Sequence, residues 1–397
     1  MARALHLADR GRLGTFPNPR VGCVIVRDGE IVGEGWHERA GGPHAEVFAL
    51  GMAGDRACGS DIYVTLEPCS HHGRTPPCSD AVIAAQPKRV IVAMRDPNPL
   101  VAGRGIDALL AAGIDVESGL MEAAARQLNR GFVSRMERGR PFVSLKLGAS
   151  LDGRTATASG ESQWITGAEA RADVHRLRAE AGAVLTSSAT VLADDPQLTV
   201  RDLVPSPPGR GWREAPGEGF AESSHPAIGN ALTPGPSPGG RGGNGPGGRG
   251  GNQRQPDRIV LDPQARVPVD ARVWAPGARR LWLVGKEPVQ RPDDVEVIIL
   301  PLISIHTLDL DLALKALGAA GINELLIECG PTLAGSLLEA KLVDELLVYL
   351  APSLLGSEAR GLANLAVGQL DQRLRLRYTD VRRVGADLKI TAAIEEI

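Results

Sequence analysis

Pro43-His44-Ala45-Glu46 and, further on, Thr65-Leu66-Glu67-Pro68-Cys69-Ser70-His71-His72-Gly73-Arg74-Thr75-Pro76-Pro77-Cys78 read together as one metal site written in two pieces. One imidazole (His44) and two thiolates (Cys69, Cys78) suit zinc, and three protein ligands leave one tetrahedral position open, as a catalytic ion requires. Water in that position ionises near neutral pH, its pKa falling from about 15.7 in bulk to about 7. Glu46, two residues past the histidine, is the expected proton carrier. Residues two apart do not share a face of a regular helix. His44 and Glu46 therefore have to sit at a helix entrance, and Gly41-Gly42-Pro43 just before them agree with that.

Outward from this site the chain alternates. Buried strands are expected at 21–26 and 31–36, with Asp28-Gly29 between them as a hairpin signal. A helix from His44, a strand at 62–65, a helix at 78–85, a strand at 89–93, a helix at 105–112 and a short strand near Val116 follow. Strands alternating with helices of this length predict a layered α/β domain with helices on both faces of its sheet. One helix over 122–138 is expected to close it, with the boundary at Arg138-Gly139-Arg140-Pro141. A second alternation runs from Phe142, with strands at 142–147, 183–186, 258–261, 281–284, 295–300, 324–328 and 345–350, and antiparallel strands from Leu374. The expected domains are thus 1–139 and 140–397, the second interrupted by a Gly/Pro-rich insertion at 205–256. That insertion lacks the apolar residues needed to offset the entropy of ordering it and is expected to be disordered.

With 397 residues and 43% hydrophobic content, two globular domains are expected. A net charge of −3 argues against binding nucleic acid by bulk charge and for small-molecule partners. Five cysteines, two of them claimed by the metal, are no disulfide framework, and a reducing cytoplasm is expected. The opening residues carry no apolar signal segment, and no apolar run is long enough for a membrane span. The chain begins inside an expected helix, Ala2 to Arg12, and a start further upstream is anticipated.

His-x-Glu followed by Pro-Cys and a second cysteine is the signature of zinc nucleobase deaminases, with the glutamate as acid and base. The usual spacing is Pro-Cys-x-x-Cys, whereas Cys69 and Cys78 enclose eight residues, Ser70 to Pro77. That insertion resembles one family, the bifunctional deaminase–reductases of riboflavin biosynthesis. The second half agrees through Leu145-Lys146-Leu147-Gly148-Ala149-Ser150-Leu151-Asp152-Gly153-Arg154, Ser162-Gln163-Trp164-Ile165-Thr166, Thr190-Val191-Leu192-Ala193-Asp194-Asp195-Pro196 and Gly330-Pro331-Thr332-Leu333-Ala334-Gly335-Ser336. The last run sits where a strand meets a helix, a place for a pyrophosphate on free N–H groups.

The resemblance implies an N-terminal three-layer α/β/α domain like cytidine deaminase and a C-terminal α/β domain like dihydrofolate reductase. It implies zinc and NADPH as cofactors and a pyrimidine ribotide as substrate, deaminated and then reduced at its ribose. NADPH would rest on Gly148, Trp164, Thr190, Asp194, Gly330, Pro331, Thr332, Leu333, Ala334, Gly335 and Ser336. Ser162, Arg178, Leu198, Arg201 and Glu328 would hold the substrate, and Lys146 would donate to one of its carbonyls. Asn18, fixed between Pro17 and Pro19, would contact the base, and the loop with His71, His72 and Arg74 would face the ribose phosphate. No nucleic acid or membrane partner is expected, and a homo-oligomer is.

Other readings stay open at this point. His71 or His72 as a fourth ligand would make the zinc structural, and without metal His44 and the cysteines would be ordinary core residues. A nucleic-acid-editing deaminase is opposed by the cysteine spacing and the absence of basic excess. A non-enzymatic zinc scaffold is opposed by Glu46, Lys146 and the Gly330 loop.

Overall fold

The computed structural model describes residues 1–70, 76–99, 101–201, 254–304 and 306–395. The loop of His71, His72 and Arg74, and all but three residues of the Gly/Pro-rich insertion, lie outside the described residues.

The chain opens with α1 (Ala2–Asp9), β1 (Gly22–Arg27), β2 (Glu30–Trp36), α2 (Ala45–Ala53), β3 (Asp61–Val64) and α3 (Cys78–Ala84). It continues with β4 (Arg89–Val92), α4 (Arg104–Ala111), β5 (Asp115–Ser118), α5 (Glu122–Leu128) and α6 (Arg130–Arg138). The strands make one sheet in the order β2-β1-β3-β4-β5, antiparallel at β2-β1-β3 and parallel from β3 to β5. Asp28 and Gly29 turn the β1–β2 hairpin with positive φ of 52° and 83°, which explains the Asp-Gly pair.

Helices cover both faces of this sheet, as the alternation predicts. Ala45, Ala49 and Ala53 recur every four residues as a stripe along α2 and pack on Cys23, Ile25 and Val32. The helix comes so close because β2 offers glycine there: a Cβ at Gly33 or Gly35 would collide with the carbonyls of Ala49 or Ala45. On the opposite face Ala4 and Leu7 of α1 pack against Val24. Small side chains therefore fix how deep α2 sits, and with it the height of His44 and Glu46 at its start.

Two expectations change. The first helix ends at Asp9 rather than Arg12. The single helix expected over 122–138 is broken at Asn129, whose φ of −109° is not helical. The cause is tertiary: the Asn129 amide bonds both backbone polar atoms of Arg20, Oδ1 accepting at 2.7 Å and Nδ2 donating at 2.9 Å. Asparagine readily trades helix geometry for such bonds.

From Phe142 the elements are β6 (Phe142–Ser150), β7 (Arg154–Ala156), α7 (Ala168–Ala181), β8 (Ala183–Ser187), α8 (Ser188–Asp194), β9 (Asp257–Asp262) and β10 (Arg280–Val284). Next come β11 (Val295–Ile299), β12 (Leu302–Ser304), β13 (Thr307–Leu308), α9 (Leu310–Ala319), β14 (Glu324–Glu328) and α10 (Pro331–Glu339). The chain finishes with β15 (Glu345–Ala351), β16 (Arg360–Gly361), β17 (Leu376–Val384) and β18 (Asp387–Ile394). The large sheet runs β11-β10-β9-β8-β14-β6-β15-β18-β17, parallel as far as β15 and antiparallel across β18 and β17.

Leu145, Ile259, Leu281 and Ile327 face α9 and α10 on one side; Val184, Val260 and Trp282 face Val191 and Trp274 on the other. The Trp274 and Trp282 rings lie 5.3 Å apart, an aromatic pair adding about 0.5–1.5 kcal/mol beyond its buried area. Helix α8 was not anticipated; Ser187 caps it by accepting from the Thr190 N–H at 3.3 Å. Residues 254–256, expected within the insertion, are placed: Gln255 bonds the Val200 N–H at 2.8 Å and its carbonyl at 3.0 Å. Among the described residues no helix is long and apolar enough to cross a membrane.

Candidate metal centre and active sites

His44 is the N-cap of α2, with extended backbone (φ −77°, ψ 166°), so it stands outside the regular helix while Glu46 lies in the first turn. Cys69 follows the end of β3 on Pro68, and Cys78 is the first residue of α3. The three ligand atoms lie within 4.8 Å of one another. His44 Nδ1 is 3.6 Å from Cys69 Sγ and 3.1 Å from Cys78 Sγ. A tetrahedral zinc with ordinary Zn–N and Zn–S lengths separates its N and S ligands by about 3.6 Å, so the residues fit the ion.

The charges of the cluster agree. Cys78, the His44 imidazole and the Cys78 N–H act together on the Cys69 sulfur and pull its thiol down to about 4, against burial. Ionised Cys69, together with burial, pushes the Cys78 thiol far up. A dication between the sulfurs would relieve that opposition, since metal coordination deprotonates thiols outright. Glu46 is 3% exposed, and among the described residues its Oε2 has no hydrogen-bond partner. Burial lifts its carboxyl to about 7. A buried carboxylate with an orphaned oxygen beside a cluster of three ligands among the described residues is built to exchange protons, because an orphaned acceptor is costly to keep for structure alone.

Two residues that the sequence pattern does not flag hold this centre in shape. Glu67 is buried and accepts four backbone N–H groups: Asp96 and Gly103 on Oε2 at 3.1 and 3.0 Å, Gly105 and Ile106 on Oε1 at 2.9 and 3.3 Å. The last two belong to the first turn of α4, whose dipole favours the charge. Glu67 thereby pins the segment after β3 that carries Cys69. His37 is buried, its ring edge-on to His44 with centroids 5.4 Å apart. Its Nδ1 faces the Pro43 carbonyl at 2.9 Å and must donate, so in the neutral ring Nε2 accepts from Asn18 Nδ2 at 3.2 Å. Burial lowers the His37 pKa, which keeps the ring neutral. Asn18 is thus tied beside the metal centre, and among the described residues no protein donor reaches its Oδ1.

In the second half, adjacent strands bring Lys146 (β6) and Glu328 (β14) side by side, and α7 adds Arg178. Arg178 Nε and Nη2 donate to Glu328 at 2.5 and 3.1 Å, and Nη1 donates to the Thr199 carbonyl at 3.0 Å. Lys146 Nζ lies 3.8 Å from Glu328 Oε2. Burial alone would raise the Glu328 carboxyl, but Arg178 and Lys146 outweigh it and hold it at about 2. Burial lowers the Lys146 pKa, Glu328 and Arg178 acting in opposite senses on it. Arg178 is therefore largely occupied by Glu328 and Thr199, and Arg201 is exposed. Leu198 is buried at a φ of 52°, and the Arg201 N–H reaches His175 Nδ1 at 3.3 Å.

Gly148, on the same strand as Lys146, has open space where a side chain would be, bounded by Thr166 and the Lys146 amine at 3.6 and 3.9 Å. Gly330 is the extended N-cap of α10 with Pro331 at the first turn and nothing within 4 Å of a built Cβ, a cradle open to an anion. Within the run only part faces outward: Ala334 is in the core, and Gly335 is required because the Asn364 carbonyl lies where a Cβ would be. Thr332 Oγ1 accepts from Asn364 Nδ2 at 3.3 Å, Ser336 Oγ donates to the Thr332 carbonyl at 3.1 Å, and Leu333 packs on the core rim. Thr190 is in the first turn of α8, Asp194 is exposed at its end, and Ser162 is half-buried. Trp164 is 70% exposed, with the Arg171 guanidinium 4.5 Å over its ring.

Comparison with known proteins covers both halves. Residues 1–94 match the cytidine and deoxycytidylate deaminase zinc-binding region, and residues 141–390 match the RibD C-terminal domain. The riboflavin biosynthesis protein RibD of Escherichia coli K12 is 53% identical over 390 residues, covering 98% of this chain and 96% of its own. A structure of RibD from Acinetobacter baumannii superposes with a TM-score of 0.82 at 39% identity, over 100% of this chain and 98% of that one. A Thermotoga maritima protein, described as a diaminohydroxyphosphoribosylaminopyrimidine deaminase/5-amino-6-(5-phosphoribosylamino)uracil reductase, superposes with a TM-score of 0.77 at 29% identity, over 99% and 97%.

Proposed function

The chain belongs to the bifunctional deaminase–reductase family of riboflavin biosynthesis, and from that premise we propose that His44, Cys69 and Cys78 hold its zinc while Glu46 moves the protons. It is a hydrolase and an oxidoreductase in one polypeptide, with zinc and NADPH as cofactors and a small pyrimidine as substrate. The substrate in this reading is 2,5-diamino-6-(5-phosphoribosylamino)pyrimidin-4-one, deaminated and then reduced to the ribityl chain; the name of the Thermotoga maritima protein supports it.

Zinc, when bound, supplies the Lewis acidity that brings the pKa of a water to about 7. Glu46 takes a proton from the attacking water and gives it to the ring nitrogen beside the carbon that carries the amino group. It then carries the second proton to the departing nitrogen, so ammonia leaves neutral and Glu46 returns to its starting state. Burial of Glu46 favours its protonated form, which suits a group that must both take and give a proton. Asn18, steered by His37, accepts from the base through Oδ1, which no donor among the described residues occupies.

In the second half NADPH supplies a hydride for C1 of the sugar in its opened imine form. The N-terminus of α10, through the outward-facing part of Gly330 to Ser336, would hold it together with Gly148, Trp164, Thr190 and Asp194. Lys146 donates to a substrate carbonyl; burial lowers its pKa, with Glu328 opposing and Arg178 adding to that effect. Arg178 acts from within the Glu328 pair, which leaves exposed Arg201 as the freer cation for the phosphate. Ser162, Leu198 and Glu328 complete the substrate pocket.

The seam between the two halves falls at 139–140, supported by Gly139 leaving α6 with a φ of 68° just before β6. Five free cysteines support a cytoplasmic location, and the net charge of −3 supports small molecules over nucleic acid. Exposed Tyr378 and Val381 on edge strand β17 support a homo-oligomer.

The observation that carries the reading is the convergence of His44, Cys69 and Cys78 beside buried Glu46, whose Oε2 has no partner among the described residues. The test is purified protein with the diaminopyrimidinone ribotide, with and without NADPH, following ammonia and nicotinamide absorbance separately. Ammonia is expected in both cases and loss of nicotinamide absorbance only after it. Nicotinamide oxidation without ammonia release would contradict the order.

A further inference from the structure

The Pro17-Asn18-Pro19-Arg20 segment that carries the base-contacting asparagine is held from the reductase half. Asn323, immediately before β14, is 5% exposed and donates from Nδ2 to the Pro17 carbonyl at 2.6 Å. Its amide cannot turn round, because Oδ1 accepts from Arg135 Nε at 2.6 Å. Next to it, Glu324 accepts from Arg20 Nη2 at 2.9 Å. Between these two anchors lies Asn18, whose own N–H bonds the Thr15 carbonyl at 2.7 Å and whose Nδ2 reaches His37. With proline on each side the segment has few torsions to absorb a displacement. A shift of the Pro17 carbonyl is therefore passed to Asn18.

We propose that Asn323 is a positioning residue for the deaminase reaction, acting through Asn18 although it belongs to the reductase half of the chain. The inference rests on the assignment of Asn18 as the base contact. The same strand carries Glu328 at its other end, so β14 supplies one side chain to the reductase site and an anchor to the deaminase site. Its function in the deaminase is geometric: the carbonyl of Pro17 needs a donor, and the Asn323 amide provides that donor on one side and an acceptor for Arg135 on the other.

Asn323→Asp keeps the size of the side chain and gives Arg135 a charged partner, but it sets an acceptor against the Pro17 carbonyl. The KM for ammonia release is expected to rise about tenfold with kcat within about twofold, the pattern of lost ground-state positioning. Zinc content and NADPH oxidation with the deaminated intermediate supplied should not change. Arg20→Met loosens the same segment without touching Asn323 and should raise the same KM, which provides an independent reading if Asn323→Asp folds poorly. In an Asn18→Ala background, Asn323→Asp should add less than about twofold, since coupled residues are not additive. A silent Asn18→Ala overturns the base contact and this inference with it. An active Asn18→Ala with a fully additive Asn323→Asp overturns the inference alone, as does parallel loss of both activities with release of zinc.

Discussion

Glu328→Gln removes the carboxylate that Arg178 and Lys146 share at the end of β14. Burial works against that charge, yet the two cations hold the carboxyl at about 2 rather than 4.5. At about 1.36 kcal/mol per pH unit the difference is worth about 3 kcal/mol. The folded value is depressed, so the folded state binds fewer protons than the unfolded one. The stabilisation is complete above about pH 4.5 and is lost as pH falls towards about 2. The substitution should therefore cost about 3 kcal/mol at pH 7, and more if the two stranded cations find no water. Near pH 3 the same linkage leaves roughly half of that difference. For a unit of this size the cost at pH 7 lowers Tm by roughly 6–12 °C. Calorimetry of the full-length protein, prepared without zinc at both pH values, reads the penalty, with ammonia release retained and NADPH oxidation lost in the zinc-loaded protein at pH 7 as companion signals. A penalty of the same size at pH 7 and pH 3, or none at pH 7, refutes the electrostatic account of this site.

The remaining predictions concern the deaminase half. Glu46→Gln should lower the rate of ammonia release by about 10²–10⁴ while zinc stays bound in unchanged amount, as removal of a proton carrier requires; metal analysis beside a rate measurement checks it, and loss of zinc would make Glu46 a ligand. Cys69→Ser, Cys78→Ser or chelation of the wild type should abolish ammonia release and leave NADPH oxidation intact when the deaminated intermediate is supplied. Glu67→Gln turns an NH2 group towards two of the four N–H donors now facing carboxylate oxygens, and should cost about 2–4 kcal/mol. The same change should weaken zinc binding about tenfold or more through movement of the segment that carries Cys69; competition with a chromophoric chelator measures this.

What the sequence revealed was local. Asp28-Gly29 named its hairpin, and the glycines and proline before His44 foretold a helix entrance that puts His44 in extended backbone and Glu46 in the first turn. The alternation of strands and helices carried the layered architecture, because apolar periodicity is a nearest-neighbour signal. The strand order of the nine-stranded sheet was not legible, since it depends on pairings between distant segments. The same reason hid Asn129, which leaves the helix to bond Arg20. It also hid Glu67, His37 and Asn323, each of which acts through partners far along the chain. Arg178 looked like a substrate cation in sequence, and only the fold showed how fully Glu328 and Thr199 occupy it. Gly335, within the run expected to hold the cofactor, is glycine because of the Asn364 backbone.

The central claim is that His44, Cys69 and Cys78 grip one zinc and leave its fourth corner to solvent, next to Glu46. X-ray absorption at the zinc edge of the loaded protein tests it most directly. The account predicts two sulfurs at about 2.3 Å, with one nitrogen and one oxygen at about 2.0 Å, and the same shell in Glu46→Gln. A shell of four protein nitrogens and sulfurs, or an oxygen that disappears in Glu46→Gln, would contradict it.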